Sequence, residues 1–175
     1  VGPEPSIEWL PAAEGNYIEW PERQIRGIVL HDTEGSLEAT LATFRNPAVE
    51  RSAHYILPKD GRVIQMVRDQ DVAFHTRGTL QMLPAWLMAL PSPRASGYTF
   101  SRPNAYTIGI ELVLHEEDPD GAYTDAQYES LRWLLDAKCA EHRIPRNRRR
   151  IVAHMQLQSD RADPRGLDWQ RVGLW

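Results

Sequence analysis

The run TIGIELVL at positions 107–114 constrains the fold of this chain more than any other stretch. Ile108, Ile110 and Leu112 recur at every second position, the period of a strand with one face in a core. Soon after it, YTDAQYESLRWLL opens the chain's best helix signal. Thr124 and Gln127 stand at capping-box spacing, and Tyr128, Leu131, Leu135 and Cys139 form one apolar stripe. Such a helix needs a sheet to cover, and the remaining patterns supply one. Residues 25–30 predict a buried strand. Residues 36–46 predict a short helix capped by Ser36, carrying Leu37, Leu41 and Phe44 on one face and stopped by Pro47. Residues 53–57 and 62–67 flank PKDG, whose Asp-Gly pair is a strong hairpin signal. Residues 150–154, RIVAH, predict a last strand. Strand, helix, hairpin, strand, helix, strand gives a mixed α/β domain, a central mixed β-sheet flanked by helices.

Two segments fall outside that pattern. Residues 1–24 hold Pro3, Pro5, Pro11 and Pro21 with Trp9 and Trp20, and predict an extended arm packed on a domain of residues 25–175. Residues 79–103, with Pro84, Pro91, Pro93 and Pro103, predict a long irregular loop, which in a compact domain tends to be functional. Its aromatics Trp86, Tyr98 and Phe100 suit a groove wall.

Charge narrows the partners. Lys and Arg number 20 against 24 Asp and Glu, a net charge of −4, so no basic excess favours nucleic acid. The one basic run, RNRRR at 146–150, reads as a solvated loop face. Cys139 is the only cysteine, so no intrachain disulfide is expected. No apolar run reaches the length of a membrane span, and a monomer is the default expectation.

The chemistry-bearing residues gather at strand ends. IVLH ends in His31 and IVAH in His154, and Asp163 follows nine residues later in SDRADPRG. A single histidine at a strand end is most simply a hydrogen-bonded structural residue. Two of them with a carboxylate are a set that zinc accepts, leaving a fourth position for water. Glu111 interrupts an apolar strand, where a carboxylate is costly unless paired or functional. It reads either as a general base facing a metal site or as the solvent-facing residue that alternation allows.

Six ordered blocks carry a resemblance: IVLHDTEG, RSAHYILPKDGRVIQMV, VAFHTRG, NAYTIGIELV, YTDAQYESLRWLL and IVAH…DRADP. Together they resemble the zinc-dependent N-acetylmuramoyl-L-alanine amidases, a group that includes phage lysozyme-type amidases and peptidoglycan recognition proteins. The resemblance implies one zinc ion held by His31, His154 and Asp163, with Glu111 as general base. Arg161 stands where the family carries a lysine, keeping the positive charge with a planar fork in place of an ammonium. His75 and Asn104 would line the substrate groove with Trp86 and Tyr98, and His54 would sit beside the metal site. The position of a catalytic tyrosine in some members is Ala53 here, and the usual Asp-Pro-Gly is Asp163-Pro164-Arg165. The implied reaction is hydrolysis of the amide between N-acetylmuramic acid and L-alanine in peptidoglycan or muropeptides. A binding module of the same fold without turnover is the alternative. The start at Val1 favours an exported or envelope-acting protein, with a phage lysin and a cytosolic recycling enzyme as other settings.

Overall fold

The computed structural model describes residues 5–77, 80–95 and 98–175, leaving out the side chains of residues 95, 98 and 99. In chain order its elements are β1 (Ile7–Trp9), β2 (Tyr17–Ile18), β3 (Gly27–Asp32), α1 (Leu37–Phe44), β4 (Tyr55–Leu57), β5 (Val63–Gln65) and β6 (Val72–Ala73). There follow α2 (Ala85–Met88), β7 (Arg94–Ala95), β8 (Tyr98–Thr99), α3 (Arg102–Tyr106), β9 (Thr107–Leu112), α4 (Asp125–His142) and β10 (Ile151–Ala153). Six strands form the main sheet in the order β1-β5-β4-β9-β3-β10. Only the β4–β5 hairpin pair is antiparallel; β1–β5, β4–β9, β9–β3 and β3–β10 are parallel.

β3 is buried at all six residues, as expected for a strand flanked on both sides and covered on both faces. One face of the sheet carries Ile28, Leu30, Ile108, Ile110, Leu112 and Ile151. Against it lies the α4 stripe of Tyr128, Leu131, Leu135 and Cys139. The Thr124–Gln127 capping box forms as its spacing implies, and Gln127 also donates to the Leu57 and Val113 carbonyls. On the opposite face Ile56 and Ile64 meet Phe44 of α1, while Val29 meets Val152 and Leu157.

Three expectations change. The last strand stops at Ala153, because Gln156 Oε1 accepts the Ala153 N–H at 2.9 Å and His154 opens a short 3-10 turn, His154–Gln156. Residues 79–103 are not irregular throughout: α2 and the β7–β8 pair fall there, in pieces too short to show a period. The proline-rich arm also supplies strands, β1 on the sheet edge beside β5 and β2 paired with β6. An edge position is where a chain with prolines on either side of a short strand fits.

Asp69 ties α4 to the sheet. Its carboxylate accepts from Tyr55 Oη at 2.6 Å, Lys138 Nζ at 2.7 Å and His142 Nε2 at 2.9 Å. Burial raises its pKa, but the bonds from His142, Lys138 and Tyr55 outweigh that and hold the carboxyl below its usual range. Asp69→Asn leaves Lys138 and His142 facing an uncharged amide. We expect a loss of about 3–5 kcal/mol, the usual scale for breaking a buried pair. Urea denaturation at pH 7 should show it as a lower midpoint at unchanged slope.

Candidate functional site

Register builds the site. In the parallel β3–β9 pair His31 stands directly opposite Glu111, so both side chains leave the same face of the sheet. Ala153 pairs with Leu30, which sets His154 at the end of β10 beside His31. Three parallel strands therefore present His31, Glu111 and His154 in one row at their carboxyl ends. Asp163 joins them from the following loop, where its carbonyl accepts the Met155 N–H at 3.1 Å. A cleft of 280 Å³ opens over this row, lined also by Phe44, Arg51, Phe74, His75, Arg77 and Arg161.

His31 Nδ1, His154 Nδ1 and Asp163 Oδ2 form a nearly equilateral triangle with sides of 3.1, 3.2 and 3.0 Å. The outward nitrogens are engaged elsewhere: His31 Nε2 lies 3.0 Å from His75 Nδ1, and His154 Nε2 lies 3.3 Å from Gln158 Oε1. Two imidazole nitrogens and a carboxylate oxygen are a donor set for a divalent transition metal. A tetrahedral ion with bonds of about 2.0 Å spaces its donors by about 3.3 Å, close to the sides observed. The residues present fit zinc.

The electrostatics fit as well. Burial pushes the Glu111 carboxyl well above its ordinary value, and the carboxylates of Asp163, Asp32 and Glu34 push the same way. Burial lowers His31 as well, keeping its ring neutral and able to ligate. Among the described residues Glu111 Oε2 and Arg161 Nε are buried without a hydrogen-bond partner, and both residues line the cleft.

Of the residues read from sequence, the structure brings together His31, His154, Asp163, Glu111, Arg161 and His75. Others land elsewhere. Asn104 spends its side chain on Thr76, accepting from its N–H and hydroxyl and donating to its carbonyl, so it shapes the segment after His75 and does not face the cleft. Trp86 packs over Gly27 with Arg150 on its ring, in the apolar cluster of Val72, Leu87 and Phe100. Tyr98 lies outside the described side chains. His54 is one step from the centre: its Nδ1 accepts from Gly109 N–H at 3.0 Å and its Nε2 donates to the Asp71 carbonyl at 3.0 Å. Burial, helped by the Arg23 charge, pushes its pKa down to about 3. Its ring meets His75 edge-on at 5.9 Å.

Sequence reasoning missed the pair that anchors the ligand loop. Asp32 Oδ2 accepts from the Arg165 N–H at 2.7 Å and from its Nε at 3.2 Å. The arginine at the family's usual glycine position thus neutralises a fully buried carboxylate next to His31. The signal was an acid after the first histidine and a base two residues after the last ligand, 133 positions apart.

A model of the family described as N-acetylmuramoyl-L-alanine amidase matches residues 21–166. The chain belongs to this family. It is 37% identical over 137 residues to N-acetylmuramoyl-L-alanine amidase A of Achromobacter lyticus. That match covers 78% of this chain and 63% of the relative, so the chain spans less than two thirds of that relative's length. It is 27% identical over 162 residues to 1,6-anhydro-N-acetylmuramyl-L-alanine amidase AmpD of Haemophilus influenzae, covering 89% of this chain and 77% of the relative. Solved structures share the fold, two of which illustrate it. The amidase AmiD from E. coli, in complex with the substrate anhydro-N-acetylmuramic acid-L-Ala-D-gamma-Glu-L-Lys, gives a TM-score of 0.64 at 23% identity over 91% of this chain and 65% of that one. Drosophila peptidoglycan recognition protein SA gives 0.63 at 16% identity over 98% and 92%.

The Glu111 shift has a stability consequence. A carboxyl whose pKa is raised on folding binds its proton more tightly in the folded state. The metal-free protein therefore loses stability as pH rises from the unfolded carboxyl value of about 4.3 through the higher folded value. Glu111→Gln removes that loss. In chelator, thermal denaturation should show the variant matching wild type at pH 4 and melting higher at pH 7.5; equal melting at both would mean that Glu111 is not held in a charge-disfavouring site.

Proposed function

We propose that the chain hydrolyses the amide between the lactyl group of N-acetylmuramic acid and L-alanine, in peptidoglycan or muropeptides, with one zinc ion. The observation that carries this reading is the triangle of His31, His154 and Asp163 donors set in one cleft beside Glu111, whose buried Oε2 has no hydrogen-bond partner among the described residues. Family membership and the printed activities of its relatives supply the substrate class. His31, His154 and Asp163 hold the ion, which when bound polarises the scissile carbonyl and makes an attacking water more acidic.

The remaining work falls to this chain's side chains. Glu111 accepts the proton of the attacking water as the new C–O bond forms, then delivers it to the leaving amine as the C–N bond breaks. Its raised pKa suits both halves of that exchange. A cation in the triangle would oppose the carboxylate repulsion that adds to burial in raising Glu111. Arg161, with a buried Nε–H lacking a partner, donates to the oxyanion that develops on the carbonyl, a role for which one well-aimed donor contributes about 3–4 kcal/mol. His75 borders the same cleft. Among the described residues no helix is long and apolar enough to cross a membrane.

Release of L-alanine amino termini from purified peptidoglycan tests the reading. Wild type should release them, chelator should abolish release and added zinc restore it. Glu111→Gln should lose about 10²- to 10⁴-fold in rate while still binding zinc. Wall binding without amine release would leave a recognition module, and an amine other than L-alanine would move the scissile bond.

A further inference from the structure

We propose that Thr107 and His75 form a positioning relay that fixes the tautomer of His31 and thereby keeps a bare nitrogen in the metal seat. The proposal rests on the metal reading of this centre and deepens it. Neither residue is a ligand; each acts through the next.

The direction of the relay is set at its far end. Pro103 offers only a carbonyl, and a carbonyl only accepts. The Thr107 hydroxyl donates its single proton to that carbonyl at 2.6 Å. Toward His75, 3.3 Å away, the same oxygen is then left to accept, so His75 Nε2 carries the proton. A neutral imidazole protonated at Nε2 has a bare Nδ1. His75 Nδ1 lies 3.0 Å from His31 Nε2 and takes its proton in a hydrogen bond. His31 in turn has a bare Nδ1, the atom that faces His154 Nδ1 and Asp163 Oδ2. The opposite tautomer would aim a proton into the seat.

Gly109 shows how closely His75 is placed. A Cβ there would fall 2.4 Å from His75 Cγ, so the glycine of the IGIE run is what lets the ring stand between Thr107 and His31. His54 closes the other side, with its main chain and ring both bonded to Gly109. The His75 ring is buried and every nitrogen it owns is used within the protein, which assigns it to holding His31.

Two readouts on metal-free protein test the relay without reference to amidase activity. Long-range ¹H–¹⁵N spectra should show His31 protonated at Nε2 and bare at Nδ1; a proton on His31 Nδ1 in wild type would overturn the proposal. Zinc affinity, read by competition with a chromophoric chelator, should fall about 10- to 100-fold in His75→Phe, the usual scale for removing a partner of a ligating histidine, and measurably but by less in Thr107→Val, which acts through His75. Thr107→Ser keeps the hydroxyl and should stay within about twofold of wild type on that scale. Equal affinity in Thr107→Val and wild type, or equal loss in Thr107→Val and Thr107→Ser, would sink the relay. Should His75→Phe fail to fold, the Thr107 pair still decides. A chain that loses zinc affinity as expected yet releases no amine would keep the relay and discard the amidase.

Discussion

The parallel register of β3 between β9 and β10 is the constraint on which everything else rests. Side chains on a strand alternate faces, so a slip of one residue would exchange the two sets. His31 and Glu111 would then turn into the core under α4, and Leu30 and Ile110 would turn out into the cleft. The six buried residues of β3 make that slip costly, because Ile28 and Leu30 alone bury two large aliphatic side chains, each contributing about 1.5–3 kcal/mol. The apolar packing that stabilises the sheet is thus the same packing that aligns His31, Glu111 and His154. Loops complete the site, but they attach to positions the register has already chosen.

Charge around that row is balanced locally. Asp32, next in sequence to His31, would add a second buried carboxylate to one formed by Asp163. Arg165 removes that problem with two bonds from its main chain and guanidinium to the same oxygen. Glu111 Oε2 has no such partner among the described residues, and burial keeps its carboxyl in an unfavourable environment. An arrangement that neutralises one acid and strands its neighbour separates their roles: Asp32 holds the loop that carries Asp163, and Glu111 remains free to exchange a proton. The loop itself is clamped where Gly166 and Gly121 approach so closely that a Cβ on Gly166 would fall 2.4 Å from the Gly121 nitrogen.

Much of the fold was legible because it rests on local rules. The α4 capping box, the Ser36 cap and the PKDG hairpin each fall where residue chemistry puts them. His31 and His154 stood out for a related reason, since a polar residue at the end of an apolar run is visible one strand at a time. What stayed hidden depends on pairing across the chain. Nothing near Asn104 says that its amide is consumed by Thr76, 28 residues away, and nothing near Trp86 says that Gly27 makes room for its ring. The places of Trp86 and Phe100 could not be read from a proline-rich segment whose elements α2, β7 and β8 are four residues or fewer. Nor does anything near His142 say that it reaches Asp69, 73 residues away.

The resulting site is organised by hydrogen bonds that point one way. Each link beginning at the Pro103 carbonyl has a single donor and a single acceptor, and together they deliver a lone pair where two other donor atoms already converge. Three electron-rich atoms within 3.2 Å of one another repel when nothing positive lies between them. The fold tolerates that repulsion because β3, β10 and the Asp163 loop are each anchored elsewhere, through the core and through Arg165. A cation that binds there relieves it, so metal affinity and folded-state stability become linked quantities. The strand ends therefore gather the His31, His154 and Asp163 donors into an unfavourable cluster that a bound cation would relieve.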